Sequence, residues 1–261
     1  MIGQETVLKK LLCYNFNTLP TNLLLIGPFG AGKHTIVTEL QKQLNVNLIN
    51  IDQKVVFEDL LDITYSTVDK LCLINLTDFS ENQQNKLLKF IEEPHQHLKC
   101  ILISETKLGI LDTILNRCII YYLEQYSIQQ LQKVKVFKDD LIYRICKTPG
   151  QLLVLDDIAF EQAKQLSILF LNNVSRATFA NTLSLITKFN FKEDYNKISL
   201  DLFFQLLLYF AYEDYKVNNN KVSLKIYFFT NNFIKDLLYN NINKESFMIS
   251  YLLSLRRFLN N

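Results

Sequence analysis

Nothing in this sequence is both long and apolar enough to cross a membrane. The most apolar stretch, Leu200 to Tyr212, falls short of the ~20 residues that a bilayer-spanning helix needs. It also carries Asp201 and Gln205, and so reads as a buried helix with no membrane partner. The opening Met1-Ile2-Gly3-Gln4-Glu5 has neither the basic region nor the apolar core of a secretory signal. Cysteine is sparse: Cys13, Cys72, Cys100, Cys118 and Cys146 are scattered, odd in number and never spaced as CxxC. That argues against a disulfide framework and against zinc, and makes reduced thiols in a cytoplasmic protein the expectation. Charge is nearly balanced, and a net +2 does not by itself announce a nucleic-acid binder. Arginine is rare, standing only at positions 117, 144, 176, 256 and 257. Repeats, low-complexity tracts and long linkers are also missing.

What is present is an ordinary globular composition: 261 residues, 49% hydrophobic and 21% charged, enough for one large domain or two to three small ones. Apolar runs at Asn22 to Ile26, Val46 to Ile51, Lys70 to Leu76 and Lys99 to Ser104 read as strands. Between them, Ile36 to Leu44 suits a helix, and so does Glu81 to Glu93, whose Leu87, Leu88 and Ile91 form an apolar stripe ended by Pro94. Alternating strands and helices predict a parallel sheet covered on both faces. After about residue 124 strand signals stop. Residues 125–165 read as a small helical unit punctuated by Thr148-Pro149-Gly150, and 166–261 as long helices with an Asn-rich break at Asn218 to Asn220.

The most informative turn follows the first strand. Gly27-Pro28-Phe29-Gly30-Ala31-Gly32-Lys33 fills the pattern G-x-x-x-x-G-K between a strand and a helix, the context in which that pattern binds phosphate. Glycines let backbone N–H groups close around phosphate oxygens, the helix N-terminus adds positive potential, and Lys33 can reach the terminal phosphates. Gly27, Pro28, Gly30, Gly32 and Lys33 are therefore candidate nucleotide contacts; a glycine-rich turn that binds nothing is the alternative. The next position should hold a Ser or Thr hydroxyl for Mg²⁺ and holds His34 instead. Thr35 brings a hydroxyl one residue late, turned by about 100° on a helix. His34 could touch a phosphate or simply sit at the surface.

The strand Lys70 to Leu76 lies where a working ATPase would place an Asp for the metal and a Glu for the attacking water. Asn75 and Leu76 occupy those places. Asn carries no charge and Leu cannot orient water. Unless the register differs and Asp78 does the work, hydrolysis is not expected. Asp78 and Ser80 look instead like caps for the following helix, with Gln83 placed to complete a capping box.

Further motifs bring a resemblance. Gln84-Asn85-Lys86-Leu87-Leu88-Lys89-Phe90-Ile91-Glu92-Glu93-Pro94 resembles QNALLKxLEEP, and Ile110 to Cys118 resembles LPTILSRC, with Asp112 and Asn116 as departures. Met1 to Gln4 resembles an opening IIGQ, and Lys147 to Leu152 resembles GSPGRAL, with Gln151 in place of a nucleotide-sensing Arg. Together these are similar to the AAA+ clamp-loader subunits of bacteria, over about residues 1–155. Within that family the pattern is nearest the delta prime type, the members expected to do without hydrolysis of their own.

The resemblance implies an AAA+ α/β domain with a parallel sheet (1–124), a helical lid (125–165) and an all-α collar for oligomerisation (166–261). It implies ATP or ADP held weakly if at all, with Mg²⁺ poorly supported, and adds Ser104 at the end of the fourth strand to the nucleotide contacts. The family's zinc module is missing, so no zinc is expected. The implied partners are motor and delta-type loader subunits and, through the assembly, the sliding clamp and primed DNA. The implied role of Arg117 is to act in trans on a neighbour's nucleotide; a structural salt bridge at the end of the sheet is the other reading. A self-sufficient ATPase, such as a motor subunit or helicase loader, is the rival function. A small-molecule kinase would leave residues 84–118 unexplained.

Overall fold

The computed structural model describes residues 2–51, 67–93, 96–175, 200–234 and 244–260. The chain forms two compact units, the first of residues 1–136 and 146–154, the second of 137–145 and 155–261. Residues 125–165, read as one helical piece, are thus shared between them.

The first unit is built on five parallel strands: β1 (Asn22–Ile26), β2 (Asn47–Ile51), β3 (Lys70–Asn75), β4 (Leu98–Ser104) and β5 (Ile119–Tyr122), in the order β2-β3-β4-β1-β5. All five β1 residues are buried, as expected of a central parallel strand with both faces covered. Helix α1 (Glu5–Leu12) precedes the sheet. Helix α2 (Lys33–Leu44) buries Ile36, Val37 and Leu40 completely, each contributing about 1.5–3 kcal/mol by removal from water.

Helix α3 (Glu81–Glu92) begins with the capping box expected at Ser80: Gln83 N donates to Ser80 Oγ (3.4 Å) and Ser80 N to Gln83 Oε1 (2.8 Å). Its stripe of Leu87, Phe90 and Ile91 packs against the sheet core with Leu24, Cys72 and Leu102. Glu93 is already extended, the conformation favoured before a proline; Pro94 itself and the side chain of Asp78 lie outside the described residues.

Strand β5, absent from the sequence reading, pairs along β1 from Leu23↔Ile119 to Ile26↔Tyr122. It is a short edge strand with Ile119 and Tyr122 exposed; its apolar run of four residues shows no alternation, and periodicity alone cannot assign so short a run. Three short helices also belong to the unit among the described residues: α4 (Asp112–Leu115), α5 (Ile128–Val134), and α7 (Pro149–Leu153), which has Thr148 as its N-cap and a proline in its first turn.

The second unit contains α6 (Ile142–Ile145), α8 (Asp157–Ser175), α9 (Leu200–Asn218), α10 (Lys221–Phe233) and α11 (Lys244–Asn260). Its core is aromatic, with Phe170 edge-on to Phe203 at 5.3 Å and Phe204 edge-on to Tyr251 at 5.0 Å. The buried Tyr251 hydroxyl meets Thr230 Oγ1 at 2.7 Å, which satisfies both polar groups. The Asn-rich break is a capped turn. Asn219 takes a left-handed conformation, Asn220 accepts from Val222 N (3.0 Å), and Asp214 accepts from Asn218 Nδ2 (2.7 Å) and Asn220 Nδ2 (2.8 Å). No helix among the described residues is long and apolar enough to cross a membrane.

Candidate functional site

Two places in the first unit carry the residues singled out by sequence, and they lie at opposite ends of the strands. The first is the turn after β1. Gly30 (φ +73°) and Gly32 (φ +95°) adopt the left-handed conformations that side chains resist, and Gly32 delivers the chain into α2. Gly27 N donates to Ser104 O (3.1 Å), fixing the start of the turn on β4. Lys33 is buried. Its Nζ donates to Gly27 O and to Pro28 O (3.0 Å), so the ammonium rests on carbonyls of its own loop. Burial lowers its pKa, with the nearby Glu105 carboxylate acting in the opposite sense.

The outer side of the turn is fastened to the start of α7. Gly150 N donates to Gly30 O (3.0 Å) and Thr148 Oγ1 to Phe29 O (2.8 Å). The two backbones approach so closely that a Cβ on Gly150 would stand 2.3 Å from Gly30 Cα. Tyr126 closes the floor, donating its hydroxyl to Ala31 O (2.8 Å). The result is a cavity of about 760 Å³, large enough for a nucleotide-sized ligand. Gly30, Gly32, Lys33, His34 and Thr35 line one side, with Asn75, Thr77 and Glu105 beside them; Ile2, Phe29, Tyr126, Val134 and Leu153 form an apolar side.

The predicted contacts are therefore not all alike. Gly27, Pro28 and Ser104 support the turn without lining the cavity, and the Ser104 hydroxyl is turned to Thr106 O (2.8 Å). His34 and Thr35 both reach the cavity and are both exposed. At the hydrolysis strand, Asn75 lines the cavity while Leu76 is buried in the sheet core. Gln151 turns back on its own helix, its Oε1 accepting from Lys147 N (2.8 Å). Gln4 is fully buried and joins the opening segment to the exit of β5 through Glu124 O (2.8 Å) and Glu124 N (2.9 Å).

Sequence reading missed Glu105, the one carboxylate lining the cavity among the described residues. It missed the role of Gln84 as well. This buried side chain donates to Gly109 O (2.8 Å) and Phe79 O (3.2 Å) and accepts from Leu111 N (3.1 Å), tying α3 to the segment that leads to Arg117. The signal was available. Gln84 stands on the same helical stripe as Leu87, Leu88 and Ile91, where a polar residue must find buried partners.

The second place surrounds Arg117. Its Nη2 pairs with Glu92 Oε1 at 2.9 Å and its Nη1 donates to Thr113 O at 2.9 Å, with both charged side chains partly exposed. Asn22, buried at the start of β1, donates from Nδ2 to Ile91 O (3.0 Å) and Arg117 O (3.3 Å). Since Leu23 is level with Ile119, Arg117 lies at the N-terminal edge of the strands, whereas the glycine-rich turn leaves the C-terminal edge. The length of β1, at about 3.3 Å per residue, separates the two by roughly 15 Å.

A glycine-rich turn between a central parallel strand and a helix, over a cavity closed by a small helix, fits a P-loop α/β module with the AAA+ type of fold. Over nearly the whole chain (98%, and 99% of the other) the fold matches the crystal structure of a DNA polymerase III gamma subunit-related protein from Thermotoga maritima, with a TM-score of 0.51 at 15% identity. Residues 48–127 match the family described as DNA polymerase III, delta subunit. Across 74 residues the chain is 39% identical to DNA polymerase III subunit delta' of Bacillus subtilis (strain 168). That match takes in 28% of this chain and spans about a fifth, 21%, of the relative's length. Over these stretches the chain is thus similar to DNA polymerase III delta-type subunits, the likeness that its motifs suggested.

Proposed function

We propose that this chain serves a replicative clamp loader as its non-hydrolysing brace, offering Arg117 to the nucleotide of an adjacent motor subunit. The observation that carries this reading is the separation of the two places just described. Arg117 cannot reach the chain's own cavity from the opposite edge of the sheet, so an arginine with a phosphate to meet must meet a neighbour's. A guanidinium suits that task because it is always charged and presents a fork of donors to phosphate oxygens. The cavity keeps a phosphate-binding turn but has Asn75 and His34 where metal supports belong. Adenine nucleotide is accordingly held weakly and with little help from Mg²⁺. Residues 166–261 act as the oligomerisation collar, and the sliding clamp and primed DNA are met through the assembly.

The purified chain is expected to show no ATP turnover; a Lys33-dependent rate near ~1 s⁻¹, the low end for enzymes, would sink this reading. Calorimetric titration with ATP should give weak binding that Mg²⁺ hardly changes. The rival, a self-sufficient ATPase, draws its support from Glu105, a carboxylate close enough to Lys33 to influence its charge. If turnover is found and Glu105→Gln abolishes it, the rival is correct.

A further inference from the structure

We infer that Glu92 is a positioning residue for Arg117, holding one side of its guanidinium so that the remaining donors stay aimed at an anion on a neighbouring molecule. The inference rests on the proposed trans role of Arg117. Three observations support it beyond the 2.9 Å ion pair.

Glu92 is electrostatically misplaced as a helix residue. It is the last residue of α3, followed by Glu93, at the end where the helix dipole favours cations. Arg117 adds a second cation to that end, beside Lys89 of the last turn. The pair is also too exposed to matter much for stability: with both side chains about two-fifths accessible, solvent screens most of its attraction. Orientation is the gain that remains. The backbone beneath the two residues is tied together as well, because the one Asn22 amide donates both to Ile91 O, next to Glu92, and to Arg117 O.

Arg117 commits one N–H to Glu92 and another to Thr113 O. A guanidinium has five. Three therefore stay uncommitted among the described residues, on a group whose swing is restricted by two fixed acceptors. A planar fork held in this way loses less freedom when it meets phosphate oxygens.

The test has two arms. In the full-length chain, modification of Arg117 by phenylglyoxal, followed by peptide mass spectrometry, reads how firmly the guanidinium is held. Glu92→Ala should raise its rate by about fivefold, the size expected for an exposed ion pair, with Arg144 unchanged as internal reference. Glu92→Gln, which keeps an acceptor, should raise it less. An unchanged rate in Glu92→Ala overturns this inference while leaving the proposed function standing.

In the loader reconstituted with its motor and delta-type subunits, Glu92→Ala should slow single-turnover hydrolysis by about fivefold at the served site. Glu92→Gln should recover part of that loss, the KM for ATP should not move, and Glu92→Ala should add nothing to Arg117→Ala. Additive losses would mean that Glu92 acts elsewhere and overturn its positioning role. A loader indifferent to Arg117→Ala would overturn the proposed function itself and this inference with it.

Discussion

At the C-terminal edge of the sheet, Lys33 lies buried on the carbonyls of its own turn, beside a cavity with Asn75 where an acid belongs. At the N-terminal edge, Arg117 stands partly exposed and outside that cavity, held by a carboxylate and a helix carbonyl. One end has the architecture of phosphate chemistry with much of its chemistry replaced. The other has a partly exposed cation that does not line that cavity. Phosphoryl transfer needs both, since stabilising developing charge depends on donors fixed around an enclosed reacting group. Under the proposed function, a chain that separates the two by the length of a strand completes a site on another molecule.

The largest effect should come from breaking the arginine end. Arg117→Ala should leave the chain folded and assembled yet slow hydrolysis at the motor site it serves by about 10³-fold. Whole-loader turnover should fall only partly, because other motor sites keep their own arginines. Single-turnover assays of wild type against mutant measure this, and normal rates in an intact complex would make Arg117 structural.

Next comes the cavity end. Gly150→Val would drive a side chain into the Gly30 backbone, which cannot yield as a flexible side chain could. A cost of about 3 kcal/mol, or roughly 6–12 °C in Tm, is expected by calorimetry. An unchanged Tm would show that the turn is not fastened to α7. Asn22→Ala should cost less, about 1–3 kcal/mol in urea unfolding, by leaving two carbonyls without their shared donor. It sharpens the comparison because it should also loosen Arg117 to chemical modification without altering ATP binding.

Smaller still, Glu105→Gln should strengthen ATP binding about two- to fivefold by removing a carboxylate beside the phosphate position. Weaker binding in titrations would instead mark Glu105 as a ligand-supporting residue. The smallest effect is a contrast in thiol labelling. Cys13 is exposed, whereas burial pushes the Cys118 thiol, next to Arg117, up to about 12. At pH 8 iodoacetamide should label Cys13 well before Cys118, and Cys118 should gain reactivity only as the pH climbs towards 12. Equal labelling at pH 8 would mean that the arginine end is looser than its hydrogen bonds indicate.

Much of this was legible before any coordinates. The glycine-rich turn, the capping box at Ser80 and four of the five strands follow from short-range rules, because turn conformation, helix caps and apolar runs are decided by neighbours a few residues apart. The motifs around Gln84 to Pro94 and Ile110 to Cys118 were enough to suggest the family. Strand β5 was not legible: a short, half-exposed strand takes its identity from pairing with β1, far away in sequence. Glu105 was passed over for a similar reason. An acid after a strand is ordinary until the fold sets Lys33 opposite it.

The sequence by itself determined the chemistry available: a G-x-x-x-x-G-K turn with its lysine, Asn75 and Leu76 in place of acids, and one arginine in a telling motif. Those are facts of residue type and spacing, and folding cannot change them. The tertiary structure alone decided where that chemistry points. It turned Lys33 onto its own carbonyls, closed the cavity by seating Gly150 on Gly30, and put Arg117 at the far edge of the sheet with Glu92 as its partner. The reason is geometric. Parallel strands send each crossover from one edge of the sheet to the other. Residues at the start and at the end of neighbouring strands therefore sit a full strand length apart, and only the register of β1 against β5 fixes which edge Arg117 occupies.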